Sequence, residues 1–264
     1  MNKQSRPQAC PFAILVSSVA ITLTLTQFAI AADPKEGRFT QVIRDVRLLA
    51  SKTAARPAAV NDSVSSGSAV RTGDESRAEI TFADQTLTRL GANTVFSFGR
   101  EAHTYDLGSG AVLMYAPEKA GEVKIRMSAA TAAVSGFTAM IETHAKGWNK
   151  FIMLHGKGGI SFNGVSREPC QLHDGQMIAW QPHPSQCPPV LDIDLSKLVR
   201  GKLIKGFKQP LPEMKIILTQ ISNQQTSPPS GGLVDPTSSD KIDQRAATDP
   251  HNNAPPPPHP PPPG

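Results

Sequence analysis

Residues 64–98 read VSSGSAVRTGDESRAEITFADQTLTRLGANTVFSF. Within them Ala78-Glu79-Ile80-Thr81-Phe82 alternates apolar with polar, the period of a strand that turns one face to a core. Val95-Phe96-Ser97-Phe98 repeats the pattern. Thr72-Gly73-Asp74, Ala83-Asp84-Gln85 and Leu90-Gly91-Ala92-Asn93 separate the runs, and all are rich in turn-forming residues. Gly73 and Gly91 suit turns that need a positive φ. Ser76 and Asp84 can satisfy turn amides, and Ala78 points into the core with Ile80 and Phe82. The stretch therefore predicts short strands joined by tight turns, with its small and polar residues spent on holding the turns.

The same period of two extends outward on both sides. Phe39–Ile43 and Val46–Leu49 precede the stretch. Ala111–Tyr115, Val123–Met127, Thr138–Ile141, Phe151–Leu154, Gly159–Phe162 and Met177–Trp180 follow it. Gly108-Ser109-Gly110, Gly156-Lys157-Gly158-Gly159, Asn163-Gly164 and Asp174-Gly175 stand between these runs as turns. Asn163-Gly164 is the sharpest hairpin signal. Some ten runs of four to six residues predict an all-β domain over residues 38–190, built as a sandwich, a β-roll or a short β-solenoid. No strict repeat period supports a long regular solenoid.

After Asp192 the period changes. Leu195, Leu198, Val199 and Phe207 fall at helical spacing, and Pro210 ends that pattern. Pro212 can open a second short helix on which Met214, Ile217, Leu218 and Ile221 share a face. Residues 191–223 thus predict short amphipathic helices carrying Lys197, Arg200, Lys202, Lys205, Lys208 and Lys215. Such a face either contacts an anionic polymer or membrane surface, or holds its lysines in water while its apolar side packs on the domain. Residues 224–264 end in APPPPHPPPPG and offer few large apolar side chains, so a disordered proline-rich tail is expected. It is a spacer, a ligand for an aromatic groove, or a solvated end.

At the other end, Lys3 and Arg6 precede an uncharged apolar stretch, and Ala29-Ile30-Ala31 supplies the small–x–small pattern of a cleavage site. This order predicts a secretory signal peptide over residues 1–31 with cleavage after Ala31. An uncleaved anchor is the alternative, since about twenty apolar residues can span a bilayer. Cys10 lies on the wrong side of the stretch for lipidation. Cleavage removes two basic and no acidic residues, so the formal charge falls from +5 to +3. That is too little to argue for nucleic acid. No integral membrane segment would remain. Cys170 and Cys187 are then an even pair in an oxidising compartment, which predicts a disulfide. Closing a loop of that length contributes on the order of 3 kcal/mol in the chain-entropy model.

No catalytic constellation stands out. Gly156-Lys157-Gly158-Gly159 lacks the Ser or Thr and the following helix of a phosphate loop. Val134-Ser135-Gly136-Phe137 lacks one glycine of a hydrolase elbow. His173, Asp174 and His183 are too loosely spaced for a metal site, and neither a metal nor a cofactor is expected. Two tyrosines and two tryptophans provide few platforms for stacking bases. The expectation is a protein that is not an enzyme. Two aromatic residues in polar loops, Tyr105 in His103-Thr104-Tyr105 and Trp148 in Lys146-Gly147-Trp148-Asn149, are the candidate interaction residues.

The stretch at 64–98 resembles the FecR domain. The resemblance rests on Val70, Thr72, Gly73, Ser76, Arg77, Ala78, Phe82, Asp84, Leu90, Gly91 and Thr94, in matching order and spacing. It extends through Gly108–Val112 and through Thr131–Val134 with Gly136, covering about residues 39–140 and, more weakly, up to 181. Ser135 and Phe137 stand where the family has arginine and threonine, and Gln85 replaces the glycine of its Asp-Gly turn. The resemblance implies a β-rich, solenoid-like periplasmic domain that senses or binds and does no catalysis. The best-known members relay the state of an outer-membrane transporter to a sigma factor through a cytoplasmic segment. Only ten residues precede the apolar stretch here, so that role is not carried over. The expectation is a periplasmic or extracellular binding or sensory module contacting an envelope protein or polysaccharide. The alternative is a structural protein tied to wall or matrix polysaccharide by its basic helices and proline-rich tail.

Overall fold

The computed structural model describes residues 36–50, 54–145, 147–165, 168–182 and 184–238. The strands in chain order are β1 (Gly37–Ile43), β2 (Val46–Leu49), β3 (Arg56–Pro57), β4 (Ser63–Val64), β5 (Ala69–Thr72), β6 (Arg77–Phe82), β7 (Leu87–Leu90) and β8 (Val95–Phe98). Then come β9 (Thr104–Ala116), β10 (Val123–Met127), β11 (Ala130–Thr143), β12 (Asn149–Phe162), β13 (Cys170–Leu172), β14 (Gln176–Trp180) and β15 (Val190–Asp192). Hydrogen bonds join them into one open mixed sheet ordered β15-β14-β12-β11-β10-β9-β7-β6-β1-β4, with β13 on β12 and the β3–β2–β5–β8 ribbon on β9. Among these strands, β9 and β10 form the parallel pair.

Three long strands shape this sheet. Core residues of β9 are Tyr105 and Leu107, then Val112, Met114 and Ala116. In β11 they are Ala130, Ala132 and Val134, then Phe137, Ala139 and Ile141. In β12 they are Phe151 and Met153, then Ile160 and Phe162. The inward parity switches once in each strand, around Gly110 (φ 90°), Gly136 (φ 56°) and Gly156 (φ 104°). One extra residue flips every later side chain to the other face and bends the strand. Partners change at the same points. β9 pairs with β8 and β10 before Gly110, and with β7 and β11 from there on. β12 pairs with β14 before Gly156 and with β13 after it. A side chain on Gly156 would meet the Gly136 carbonyl oxygen at 2.6 Å. Only glycine serves there, by conformation and by space.

The bent sheet encloses one apolar core and presents a second apolar face. The enclosed core holds Phe39, Ile80, Phe96, Val112, Ile125, Phe137 and Phe151. The second face, with Leu113, Met140, Ile152, Leu154 and Met177, is covered by three short helices. These are α1 (Leu195–Leu198), α2 (Lys202–Lys205) and α3 (Met214–Thr226). They supply Leu195, Leu198, Ile204 and Ile217 to this layer. Asp194 caps α1, accepting from the Ser196 amide at 3.0 Å.

The β-rich architecture is the one expected from the sequence, and several of its details differ. Gly108-Ser109-Gly110 and Gly156-Lys157-Gly158-Gly159 are not hairpin turns but bulged interiors of β9 and β12. Gly158 and Gly159 pair with Val134 and Ala133 across the ladder. Leu218 is 52% exposed, so the packed face of α3 runs through Met214, Ile217 and Ile221 instead. Its position, one residue from Ile217, turns it away from the sheet. Residues 224–238, read as the start of the tail, are also placed. Thr226 ends α3, and Val234 is buried and bridged to Ile193. Residues 1–31, expected to be a leader cleaved after Ala31, and the proline-rich end from residue 239 lie outside the described residues.

Candidate functional site

Most motif residues of the quoted stretch converge on two neighbouring turns, at 72–76 and 91–94, while Asp84 holds a third at the other end of β6. Thr72 is buried, and its hydroxyl donates to the Gly91 carbonyl at 2.6 Å and accepts from the Thr94 amide at 2.9 Å. The Gly73 carbonyl accepts from Asn93 N at 3.1 Å, and Gly73 N donates to the Asp45 carbonyl at 2.9 Å. The buried Ser76 hydroxyl donates to the Asp74 carbonyl and accepts from Asp45 N at 3.0 Å. Asp84 accepts from both the amide and the hydroxyl of Thr86 at 2.9 Å. Ala78 and Leu90 face each other across β6 and β7 with no exposure. Gly73 and Gly91 do not adopt a positive φ. Their added Cβ atoms would lie 3.1 Å from Asp45 Oδ2 and 3.3 Å from the Ala111 carbonyl, so close approach explains them. The positive φ falls on Gln85 (74°), Glu75 (48°) and Asn93 (52°).

One residue of the stretch that the sequence did not single out is central. Arg89, on β7, is fully buried, and its Nε lies 2.8 Å from Glu79 Oε2 on β6. Its other nitrogens donate to the carbonyls of Leu203 (3.3 Å), Ile204 (3.1 Å) and Gln209. The guanidinium also stacks 4.6 Å from the centre of the Phe207 ring. Burial pushes the Arg89 pKa down, and the Glu79 carboxylate opposes that shift. Thr40 completes the site by donating to Glu79 Oε1 at 2.7 Å. Arg89 thus fastens the α2 region onto the sheet. Lys150 does the same further along, donating to the Pro236 carbonyl at 2.8 Å beside Glu142 at 3.4 Å.

The two candidate interaction residues part company. Tyr105 is only 3% exposed. Its ring stacks on Phe96 at 5.6 Å and meets Phe82 and Phe98 edge-on, so it belongs to the core and not to an open loop. Burial pushes its pKa well above the usual phenol value. The polar neighbours His103 and Asp106 disguise a strand whose odd positions face inward. Trp148 is half-buried at the edge of the helix-covered core. It lines a cleft of about 290 Å³ with Trp180, Gln181, Pro182, Pro184 and Pro188. Lys146 of that loop lies outside the described residues.

Cys170 and Cys187 are joined in a disulfide. Cys170 sits on β13, paired with Ile160 of β12, while Cys187 lies in the proline-rich loop that borders the Trp148 cleft. The bridge therefore anchors one wall of that cleft to the sheet. Elsewhere, Asp174 lies 3.3 Å from His155 Nδ1 and accepts from the Gln220 amide and from Gly156 N, tying α3 to a turn. His173 lies in that same turn, and His183 is outside the described residues. Among the described residues no three His, Cys, Asp or Glu side chains are grouped to hold a metal. No described helix is long and apolar enough to cross a membrane.

No curated protein matches the sequence. Two crystal structures of a candidate anti-sigma factor from Parabacteroides distasonis are similar at 12% identity and a TM-score of 0.42 each. The similarity covers 50% of this chain and 65% or 64% of theirs, so it spans just under two thirds of those proteins. The family model described as FecR protein matches residues 68–157, from the turn before β5 to the glycine corner of β12. Residues 68–157 of this chain are a FecR domain.

Proposed function

We propose that this chain is an exported, non-enzymatic binding or sensory module of the bacterial cell envelope. The observation that carries the reading is the FecR domain at 68–157. Its motif residues Thr72, Gly73, Ser76 and Asp84 are occupied in holding turns, which leaves loops and sheet faces for recognition. The leader-like start and the Cys170–Cys187 bridge support a periplasmic or extracellular place. The partner is an envelope protein or polysaccharide, met at the Trp148 cleft, whose rigid aromatic and proline walls limit the ordering cost of binding. The test is capture from envelope extract by the immobilised protein and by its Trp148→Ala variant. A defined component held by the first and lost by the second is expected. Equal capture by both removes the cleft from the account.

A second reading rests on charge. Lys197, Arg200, Lys202, Lys205, Lys208 and Lys215 are all exposed, and none pairs with a carboxylate among the described residues. Asp194 and Glu213, the acids of this segment, are engaged with Ser196 and Thr138. Such a face suits attachment to an anionic wall or matrix polymer. Polymer attachment weakens steeply with salt, whereas contact through the Trp148 cleft does not.

A further inference from the structure

A second cleft lies between α1–α2 and the sheet. Its volume is about 410 Å³, within the range of about 300–1,000 Å³ common for small-molecule sites. Its floor is apolar, formed by Ala92, Ala111, Met140, Leu198, Leu203 and Ile204. Six charged side chains line it: Asp74, Glu75, Arg77, Glu142, Lys197 and Lys202. Two of the three acids are paired with cations: Glu75 with Arg44, and Glu142 with Lys150 at 3.4 Å. Asp74 accepts from Glu75 N at 3.0 Å and keeps its charge. The three cations have no carboxylate partner among the described residues. Arg77 Nε is moreover buried without a hydrogen-bond partner there. A buried donor left unmade is costly and calls for an acceptor. Three unpaired cations against the one Asp74 carboxylate leave the cleft positive, above an apolar floor.

We propose that the cleft binds an amphipathic anion: an apolar chain ending in a single anionic head, carboxylate or phosphate. The chain lies over Met140, Leu198 and Ile204. The head sits between Arg77, Lys197 and Lys202, where the guanidinium offers directional donors and the ammonium groups offer point charges. This ligand deepens the binding reading and rests on it only in naming what the module receives. Capture of an envelope component is measured separately, so either idea can fail alone.

Calorimetric titration of the purified protein tests it, with decanoate, decyl phosphate, decanol and inorganic phosphate as probes at concentrations below micelle formation. Saturable one-to-one binding of at least one of the two anionic chains is expected, and which head is preferred identifies the source. Decanol and inorganic phosphate should each bind at least about tenfold more weakly, the worth of one charge-assisted contact. Arg77→Gln should weaken the anionic chain by about the same factor and leave decanol unchanged. Because Arg77 is part of a core strand, Lys197→Gln with Lys202→Gln on the exposed helices serves as the second variant, with the same expected direction. Absence of saturable binding by both anionic chains overturns the proposal. So does equal binding of decanol, or indifference to both variants.

Discussion

Arg89 and Glu79 form an ion pair at 2.8 Å on adjacent strands, with the guanidinium fully buried and the carboxylate nearly so. Thr40 serves the carboxylate, and the α2 region serves the guanidinium. The carbonyls of Leu203, Ile204 and Gln209 take three of the four remaining guanidinium donors, and Phe207 covers its face. The FecR sheet and the helical segment after it are therefore joined by a polar peg through their shared apolar layer. Replacing Arg89 by methionine leaves a buried carboxylate and orphaned carbonyls. The expected loss is about 3–5 kcal/mol in denaturant unfolding, with faster hydrogen exchange across 202–209. Adding Glu79→Leu should recover part of the loss and none of the exchange protection. An Arg89→Met protein as stable as its parent contradicts this account.

Gln85 occupies a turn at φ 74°, where the FecR pattern has glycine. Its amide donates to the Phe82 carbonyl at 3.0 Å, so the turn is closed despite the side chain. A left-handed conformation costs a non-glycine residue about 1–2 kcal/mol, and glycine returns part of that through its freer unfolded state. Gln85→Gly should therefore stabilise the protein by about 0.5–1 kcal/mol in denaturant unfolding. A destabilised variant would show that the glutamine side chain contributes a contact of its own.

Gly156 and Gly164 both have positive φ, at 104° and 77°. They differ in space. An added Cβ at Gly156 strikes the Gly136 carbonyl, while at Gly164 nothing lies within 4 Å. Gly164→Ala should cost about 1 kcal/mol from conformation alone. Gly156→Ala should cost more than about 2 kcal/mol, because strain and overpacking add. Similar losses at both sites would mean that the corner of β12 is looser than its geometry.

Both tyrosines of the chain have raised pKa values, Tyr105 mainly through burial and Tyr115 through burial and the nearby Glu213. In the folded protein neither phenol should ionise at the ordinary value of about 10. Once unfolded, both should. The folded state keeps the full benefit of a neutral Tyr105 below that pH and loses it progressively above, as the unfolded chain sheds its proton. Ultraviolet titration of phenolate absorbance in native and denatured protein measures this directly. Tyr105→Phe should flatten the alkaline loss of stability. A phenol titrating normally in the native protein would place Tyr105 outside the core.

The local part of this fold was legible and the non-local part was not. Alternation in Ala78–Phe82 or Val123–Met127 reports one buried face, and those strands appear where the pattern puts them. Glycine is ambiguous: in Asn163-Gly164 it turns the chain, while in Gly110 and Gly156 it bends a continuing strand, and the residue alone does not tell which. Arg89 looked like an ordinary charged residue in a strand because its partners at 203–209 are more than a hundred positions away. The Trp148 cleft depends likewise on a loop some forty residues later, brought in beside β13 by Cys187. Tyr105 differs again: its polar neighbours His103 and Asp106 mask the alternation that runs through Leu107.

The proposed action by binding is tested by affinity capture from envelope extract at low and high salt, with the protein, Trp148→Ala, and a variant with Lys205, Lys208 and Lys215 changed to glutamine. A defined envelope component should be retained at high salt by the parent and by the lysine variant, and lost by Trp148→Ala. Capture that vanishes with salt and with the lysines, but survives Trp148→Ala, would contradict this reading in favour of polymer attachment. Turnover of an envelope glycan or peptide by the purified protein would contradict it outright.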